Sequence, residues 1–351
     1  MRLEARGQTA RGWLIAAPFA AVAVTLAICS LFVAWAGAPL MPTYAAIFDG
    51  AFGSRFAWSE TLTRATPLML TGLAVAVAFR ARLYNIGAEG QLYVGALAAV
   101  ALGGIAEVAS LPPILVFAGM LAAAMAAGAL LLLVPALLRT RLGVDEVVTT
   151  LLLNFVALLF VSMMLDGPMK DPAAMGWPQS VSLPDTLQLP KLIERTRVHA
   201  GLLIALALAV LLWGLLKYST FGFAARAVGA NPRAAAFAGV RVERTMVIVA
   251  LLSGALAGLA GAIEVMGRTG YVTLDMSPGY GYSGIVVAML AALHPLGVVA
   301  AAVFVAGMLV GADSMSRAVG VPTYIADVIV AVALIAVLIA TLGVRWRVRW
   351  R

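Results

Sequence analysis

The segment Asn85-Ile86-Gly87-Ala88-Glu89-Gly90-Gln91 sets glycines, a carboxylate and two side-chain amides at the mouth of an apolar run. Glycine weakens regular helix and lets backbones approach closely. The polar side chains need partners in a low-dielectric setting, and an ionised carboxylate at a bilayer centre costs about 2.5 to 3.5 kcal/mol on insertion scales. One reading makes this a polar lining for a solute. The other has Asn85 capping a helix and Glu89 favouring its positive end near a surface. Composition does not separate the two. A second glycine-rich stretch, Pro278 to Gly284, carries Tyr280 and Tyr282 ahead of a short apolar run. Paired, interrupted, short apolar segments point to a site near the membrane midplane. Asn154 lies two turns inside another apolar run, where it either joins helices or faces a pathway.

Covalent and metal chemistry are disfavoured. A phosphate-binding loop needs Gly-Lys-Ser/Thr, whereas Lys170, Lys191 and Lys217 follow Met, Pro and Leu. His199, His294 and Cys29 do not make a zinc or di-metal cluster. No paired catalytic groups stand at useful spacing, so an enzyme is not expected.

The elements that would position these residues are membrane helices. Of the 351 residues, 63% are hydrophobic and 11% charged, and the mean hydropathy is +1.02. Expected spans are Trp13 to Trp35, Leu62 to Phe79, Ile86 to Ile105, Ile114 to Leu138, Val147 to Leu165, Gly201 to Leu216, Thr245 to Val265, Tyr282 to Leu293, Leu296 to Gly311 and Thr323 to Leu342. The expected fold is an all-α integral membrane protein of about ten transmembrane helices with both termini cytoplasmic. The segments flanking His294-Pro295 are short enough for a hairpin that does not fully cross. Most of the 24 basic residues fall on the segments this topology places inside, among them Arg80, Arg82, Arg139, Arg141, Lys217, Arg226 and the arginines of both termini. The net charge of +8 is therefore read as a topology signal, and nucleic acid is not an expected partner. Trp13 to Trp35 is longer than the apolar core of a signal peptide, which favours an uncleaved first helix. The expected organisation is a cytoplasmic N-terminus at 1–12, a transmembrane domain at 13–342 and a basic cytoplasmic tail at 343–351.

Two loops stand out. The external loop 166–199 holds five prolines, which bar a long helix and indicate an ordered cap or extended segment. The cytoplasmic loop 217–244 contains a complete short-helix signature: Asn231 as N-cap, Pro232 at the first helical position and Gly239 as the stop. Ahead of that, Asp145-Glu146 reads as acidic capping of the helix from Val147. Gly254, Gly258 and Gly261 read as close helix packing.

Four strings, "NIGAEGQLYVGA", "EVVTTLLLNF", "RAVGANPRAAAFAGV" and "PGYGYSGIVVAML", closely resemble permeases of bacterial ABC importers of the simple-sugar and nucleoside group, in particular the longer of two nucleoside-type permeases. The resemblance runs from about Pro67 to Ala340. It implies that Asn231, Pro232, Ala234, Ala235, Phe237, Ala238 and Gly239 form the cytoplasmic coupling helix that docks into the ATPase. It also implies an ABC ATPase subunit that carries ATP and Mg²⁺, a second, shorter permease as heterodimer partner, and an extracytoplasmic solute-binding protein, in a bacterial inner membrane. No cofactor is expected in this chain itself.

Nucleosides are the favoured solute because "NIGAEGQ" is characteristic of that branch, with simple sugars next. On this reading Asn85, Glu89, Gln91 and Asn154, with Tyr280 and Tyr282 opposite, line a weakly binding path. An ion-coupled secondary transporter is the alternative from another class. It would draw on Glu89, Glu264 and Asp327, but would leave the short cytoplasmic helix without a purpose.

Overall fold

Backbone groups surrounded by hydrocarbon must hydrogen-bond within their own segment, so apolar runs of this length fold as helices. A computed structural model describes residues 2–5, 37–105, 111–320 and 346–349, with most of 27–35 and 322–339. In chain order the elements are β1 (Arg2–Ala5), α1 (Leu40–Phe52), α2 (Arg55–Arg80), α3 (Ala88–Gly103), α4 (Pro113–Leu142), α5 (Glu146–Asp166), α6 (Gly201–Tyr218), α7 (Thr220–Ala230), α8 (Pro232–Phe237), α9 (Val242–Glu264), α10 (Tyr280–Leu290), α11 (Pro295–Val319) and β2 (Trp346–Arg349). A π-helical turn, Val265–Thr269, extends α9. Among the described residues six helices, α2, α4, α5, α6, α9 with its extension, and α11, are long and apolar enough to cross a membrane, and α3 and α10 are shorter apolar helices. The expected first span and Cys29 fall largely outside the described residues, as does part of the tenth span.

Several boundaries differ from the hydropathy reading. Helix α2 starts at Arg55, well before Leu62: Ser54 Oγ accepts from the Ala57 N–H at 3.0 Å and Ser59 Oγ donates back to Phe56 O at 2.7 Å. Helix α7 occupies residues assigned to a loop, and its N-cap Ser219 accepts from the Gly222 N–H at 3.1 Å. Helix α11 runs well past Gly311. The turn between α10 and α11 is sharp, with Ala292 and Leu293 both at positive φ. Asp145 caps α5 as expected, accepting from the Val147 N–H at 2.8 Å. Glu146 goes beyond capping: it is buried and pairs with Arg139.

The chain divides into two compact units, 1–61 with 303–351, and 62–302. In the first, α1 lies against the later part of α11, where a Cβ on Gly311 would meet Ile47 and one on Gly50 would meet Ser314. In the same unit β1 and β2 pair antiparallel, Arg2 opposite Arg349.

Within 62–302 the enclosed element is α3, most of whose residues are buried. Its 16 residues extend roughly 24 Å at 1.5 Å per residue, short of the roughly 30 Å hydrocarbon core. Helix α9 reaches α3 and α4 through glycines, as read from the sequence. A Cβ on Gly258 would fall on the backbone of Ala124 and Gly128, and one on Gly261 on Leu92 O. Between α5 and α6 the proline-rich loop is ordered, bonding along the end of α9: Ser180 N–H to Val272 O at 3.0 Å, Leu183 N–H to Gly270 O at 2.8 Å and Leu189 N–H to Met266 O at 2.7 Å. His199, 1% exposed, packs its ring on Gly267 and accepts the Gly201 N–H at Nδ1, 3.2 Å away.

Two outcomes follow from this packing. Gly258→Ala forces overpacking between helices and is expected to cost about 1–3 kcal/mol, whereas Gly214→Ala, with open space around it, should be neutral or gain up to about 1 kcal/mol. Thermal unfolding in detergent compares them, and equal melting points would refute the glycine seam. Burial, then the nearby Arg268 charge, lowers His199 from 6.5 to about 4. The unfolded chain thus binds the extra proton between these values, so stability is full above pH 6.5 and falls as pH drops towards 4. His199→Gln should flatten that slope, and an unchanged slope would rule out this origin.

Candidate functional site

The site begins where α2 stops and α3 starts. A helix beginning inside a protein leaves its first N–H groups without intrahelical partners, and here they are met by side chains. Asn85 and Gln91 pair reciprocally: Asn85 Nδ2 donates to Gln91 Oε1 and Gln91 Nε2 donates to Asn85 Oδ1, both at 2.9 Å. Asn85 Oδ1 also accepts from the Gly87 N–H at 3.0 Å, and Asn85 Nδ2 donates to Ser253 Oγ on α9 at 3.1 Å. Ser253 Oγ in turn donates to Ala74 O at 2.8 Å. Asn85 is thus not the helix cap that one sequence reading made it; Gly87 occupies that position without a side-chain cap.

Asn154 on α5 completes the entry. Its oxygen accepts from the Gly90 N–H at 2.8 Å, while its nitrogen donates to Ile86 O at 2.9 Å and to the Tyr282 hydroxyl at 3.2 Å. Gly90 is required here because a Cβ would press on Asn154 and Ala157. Thr150, one turn earlier, accepts from the Ile86 N–H at 3.2 Å.

Glu89 does not lie at a surface. It is 3% exposed, and its Oε2 accepts from the Gly281 N–H at 2.5 Å. The two interrupted helices therefore meet N-terminus to N-terminus, with the Glu89 carboxylate between them, where both helix dipoles favour negative charge. The approach is so close that a Cβ on Gly281 would fall on the Ala88–Glu89 backbone. Gly279 precedes α10 in the left-handed region at φ 84°, and Ser277 Oγ accepts from the Tyr280 N–H at 2.9 Å. Thr71 Oγ1 donates to Tyr280 O at 3.0 Å, and Tyr93 Oη donates to Leu274 O at 2.6 Å.

Tyr280 faces inward. It is 1% exposed, and Arg268 Nη1 donates to its hydroxyl at 3.2 Å and to Glu264 Oε1 at 2.6 Å. Glu264 is completely buried, and its Oε2 has no hydrogen-bond partner among the described residues. The π-helical turn that carries Arg268 is a departure from α geometry of the kind found at functional sites. The structure thus brings Asn85, Glu89, Gln91, Asn154, Tyr280 and Tyr282 together at one seam, of which Tyr282 alone is substantially exposed, at 39%.

Sequence reasoning missed Ser253, Thr71, Thr150, Ser277, Tyr93 and the Arg268 bridge. Ser253 stood inside a glycine pattern already assigned to packing, and a lone serine in an apolar helix is a weak signal. Ser277 was the more legible, as a serine three residues before the N-terminus of α10.

The short helix expected in the loop 217–244 forms as its caps dictate. Asn231 Oδ1 accepts from the N–H groups of Arg233 and Ala234 at 3.0 and 3.1 Å, Pro232 opens α8, and Gly239 follows at φ 85°. Ala235 is buried beneath it; Ala234 and Ala238 are exposed, and Phe237 is 96% exposed. Among the described residues no group of three or more His, Cys, Asp or Glu could hold a metal ion.

Residues 57–338 match the family described as branched-chain amino acid transport system / permease component. The chain is 36% identical over 327 residues to the guanosine ABC transporter permease protein NupP of Bacillus subtilis (strain 168), covering 91% of this chain and 92% of that one. It is 35% identical over 359 residues to a glucose ABC transporter permease protein of Haloferax volcanii, covering 99% and 93%. With the nucleoside ABC transporter permease protein NupB of Lactococcus lactis subsp. cremoris it shares 30% over 304 residues, covering 82% and 80%. It is a membrane-embedded transport subunit and not an enzyme. The chain belongs to the branched-chain amino acid transport system permease-component family, the membrane permease subunits of ABC importers.

Proposed function

We propose that this chain forms the translocation path for nucleosides, together with a second, shorter permease, and receives them from an extracytoplasmic binding protein. The convergence of two interrupted helices at a polar seam is the observation that carries this reading. Broken helices at membrane depth are tolerated only where protein buries them or a cavity is lined by them. Asn85, Glu89, Gln91, Asn154 and Tyr280 form the wall, held rigid by one another, and Tyr282 offers an exposed aromatic face fixed by Asn154. Such a face stacks a base without a deep pocket, which suits a subunit that must release what it passes. Similarity to guanosine and nucleoside permeases supports the nucleoside. Similarity to a glucose permease supports simple sugars as the second reading.

Both termini lie in the cytoplasm on this reading, with 166–199 external and 217–244 internal. The β1–β2 pairing, which joins the two terminal segments, supports a common side for them. Helix α8, with residues Asn231, Pro232, Ala234, Ala235, Phe237, Ala238 and Gly239, is the coupling helix. A separate ATPase subunit holds ATP and Mg²⁺, and Phe237 is the exposed anchor offered to it.

Tyr282→Ala removes about 1–3 kcal/mol of stacking and should depress nucleoside uptake about tenfold or more, with complex assembly and basal ATPase intact. Glu89→Gln keeps an acceptor for Gly281 and should retain most uptake, whereas Glu89→Ala and Asn154→Ala should lose it. Glucose uptake that falls while nucleoside uptake is absent throughout would favour the sugar reading; normal uptake in all variants at matched expression would remove these residues from the path.

Phe237→Asp should abolish coupled transport and ATPase stimulation by weakening docking by more than about 2 kcal/mol, while the membrane domain folds. A cysteine at the exposed Ala236 should react only with reagents that reach the cytoplasm. Normal coupling in the variant, or labelling from outside intact cells, would overturn the assignment.

A further inference from the structure

A cavity of about 270 Å³ opens where the ends of α2 and α6 meet α7 and the turn between α10 and α11, lined by Arg80, Lys217, Arg226, His294, Trp213 and Pro295, with Leu216 beneath. Its cations are held in place by groups that carry no formal charge. Arg80 Nε and Nη2 both donate to Leu293 O, at 3.1 and 2.8 Å. Arg226 donates to Leu216 O. Lys217 Nζ lies 5.0 Å from the ring centroids of both Trp213 and Tyr218. His294 Nδ1 accepts from the Gly297 N–H at 3.4 Å, which leaves Nε2 as its donor.

Other arginines at helix ends are neutralised: Arg139 by Glu146, and Arg141 by Glu243 at 3.2 Å. None of Arg80, Lys217 and Arg226 has a carboxylate partner among the described residues. A loose excess of basic residues at a membrane face serves topology alone, but it does not require convergence on a single cavity. Three like charges around one hollow repel one another, and an anion in the hollow relieves that repulsion.

We propose that this cavity binds the phosphate headgroup of an anionic phospholipid. The guanidinium groups supply planar donors to phosphate oxygens, and Lys217 supplies a point charge. Two observations favour a lipid over free phosphate. Trp213 and Tyr218 beside the cavity are the residue types that settle at headgroup level. Exposed Leu203, Val210 and Leu211 on α6 then offer an apolar bed for the acyl chains. Basic pockets between membrane helices hold such headgroups elsewhere.

The test is native mass spectrometry of the full chain released from nanodiscs of phosphatidylglycerol or of phosphatidylcholine. The wild type should retain phosphatidylglycerol and not phosphatidylcholine. Each basic residue near a surface contributes about fivefold toward anionic lipid, so Lys217→Gln with Arg226→Gln should weaken retention roughly 30-fold. Arg244→Gln, an exposed charge outside the cavity, should leave retention unchanged. Where the double variant fails to fold, Lys217→Gln alone should give the roughly fivefold loss. Equal retention by wild type and the cavity variants overturns the proposal. A melting temperature raised by inorganic phosphate through the same residues, without lipid retention, overturns the lipid and assigns the cavity to free phosphate.

Discussion

A helix that begins within a low-dielectric interior exposes N–H groups that water cannot reach, and each left unpaired costs several kcal/mol. In this permease two helices begin that way, α3 and α10, and their first turns face each other. The rest of the inner architecture is arranged around meeting that demand. Asn154 serves Gly90, Asn85 serves Gly87, Glu89 serves Gly281 and Ser277 serves Tyr280. Because Asn154 belongs to α5 and Glu89 to α3, neither α5 nor α10 can move far from α3 without unpairing a buried group.

Glycine makes the arrangement possible. Gly281 permits α10 to touch the backbone of α3, and Gly258 and Gly261 let α9 come close enough to bring Ser253 to Asn85. The same helix carries Glu264 and, through its π-helical turn, Arg268, which reaches Tyr280 from the other side. Close backbone approach and polar satisfaction are therefore one design: a larger side chain at the seam would separate the partners as well as overpack the helices.

Most of the polar capacity at the seam is spent internally. A passing solute would meet few free donors and acceptors in this wall, and an aromatic face at Tyr282. On the proposed path such a wall would hold a solute weakly, in keeping with the proposed delivery by a separate binding protein. Phe237 on α8, proposed as a docking anchor, is exposed, and the cations around the α6 end, proposed to hold a lipid headgroup, line an open cavity.

The sequence by itself determined what depends on neighbours along the chain. Hydropathy marked α2, α3, α4, α5, α6, α9, α10 and α11 as apolar segments, because transfer into hydrocarbon is a residue-by-residue preference summed over a window. Asn231, Pro232 and Gly239 marked α8, because a cap bonds within three residues of itself. The two glycine-rich stretches and Asn154 were legible as polar oddities in apolar surroundings. Tertiary structure alone decided what those oddities do. Glu89 had two readings because its partner, Gly281, lies 192 positions away, and Asn85 had two because Ser253 lies 168 away. Helix α7 and the early start of α2 also escaped, since their polar residues bond within the helix or act as caps and lower the hydropathy without breaking the helix. A hydrogen bond across such separations depends on where the packed helices place both groups, and no local pattern carries that information.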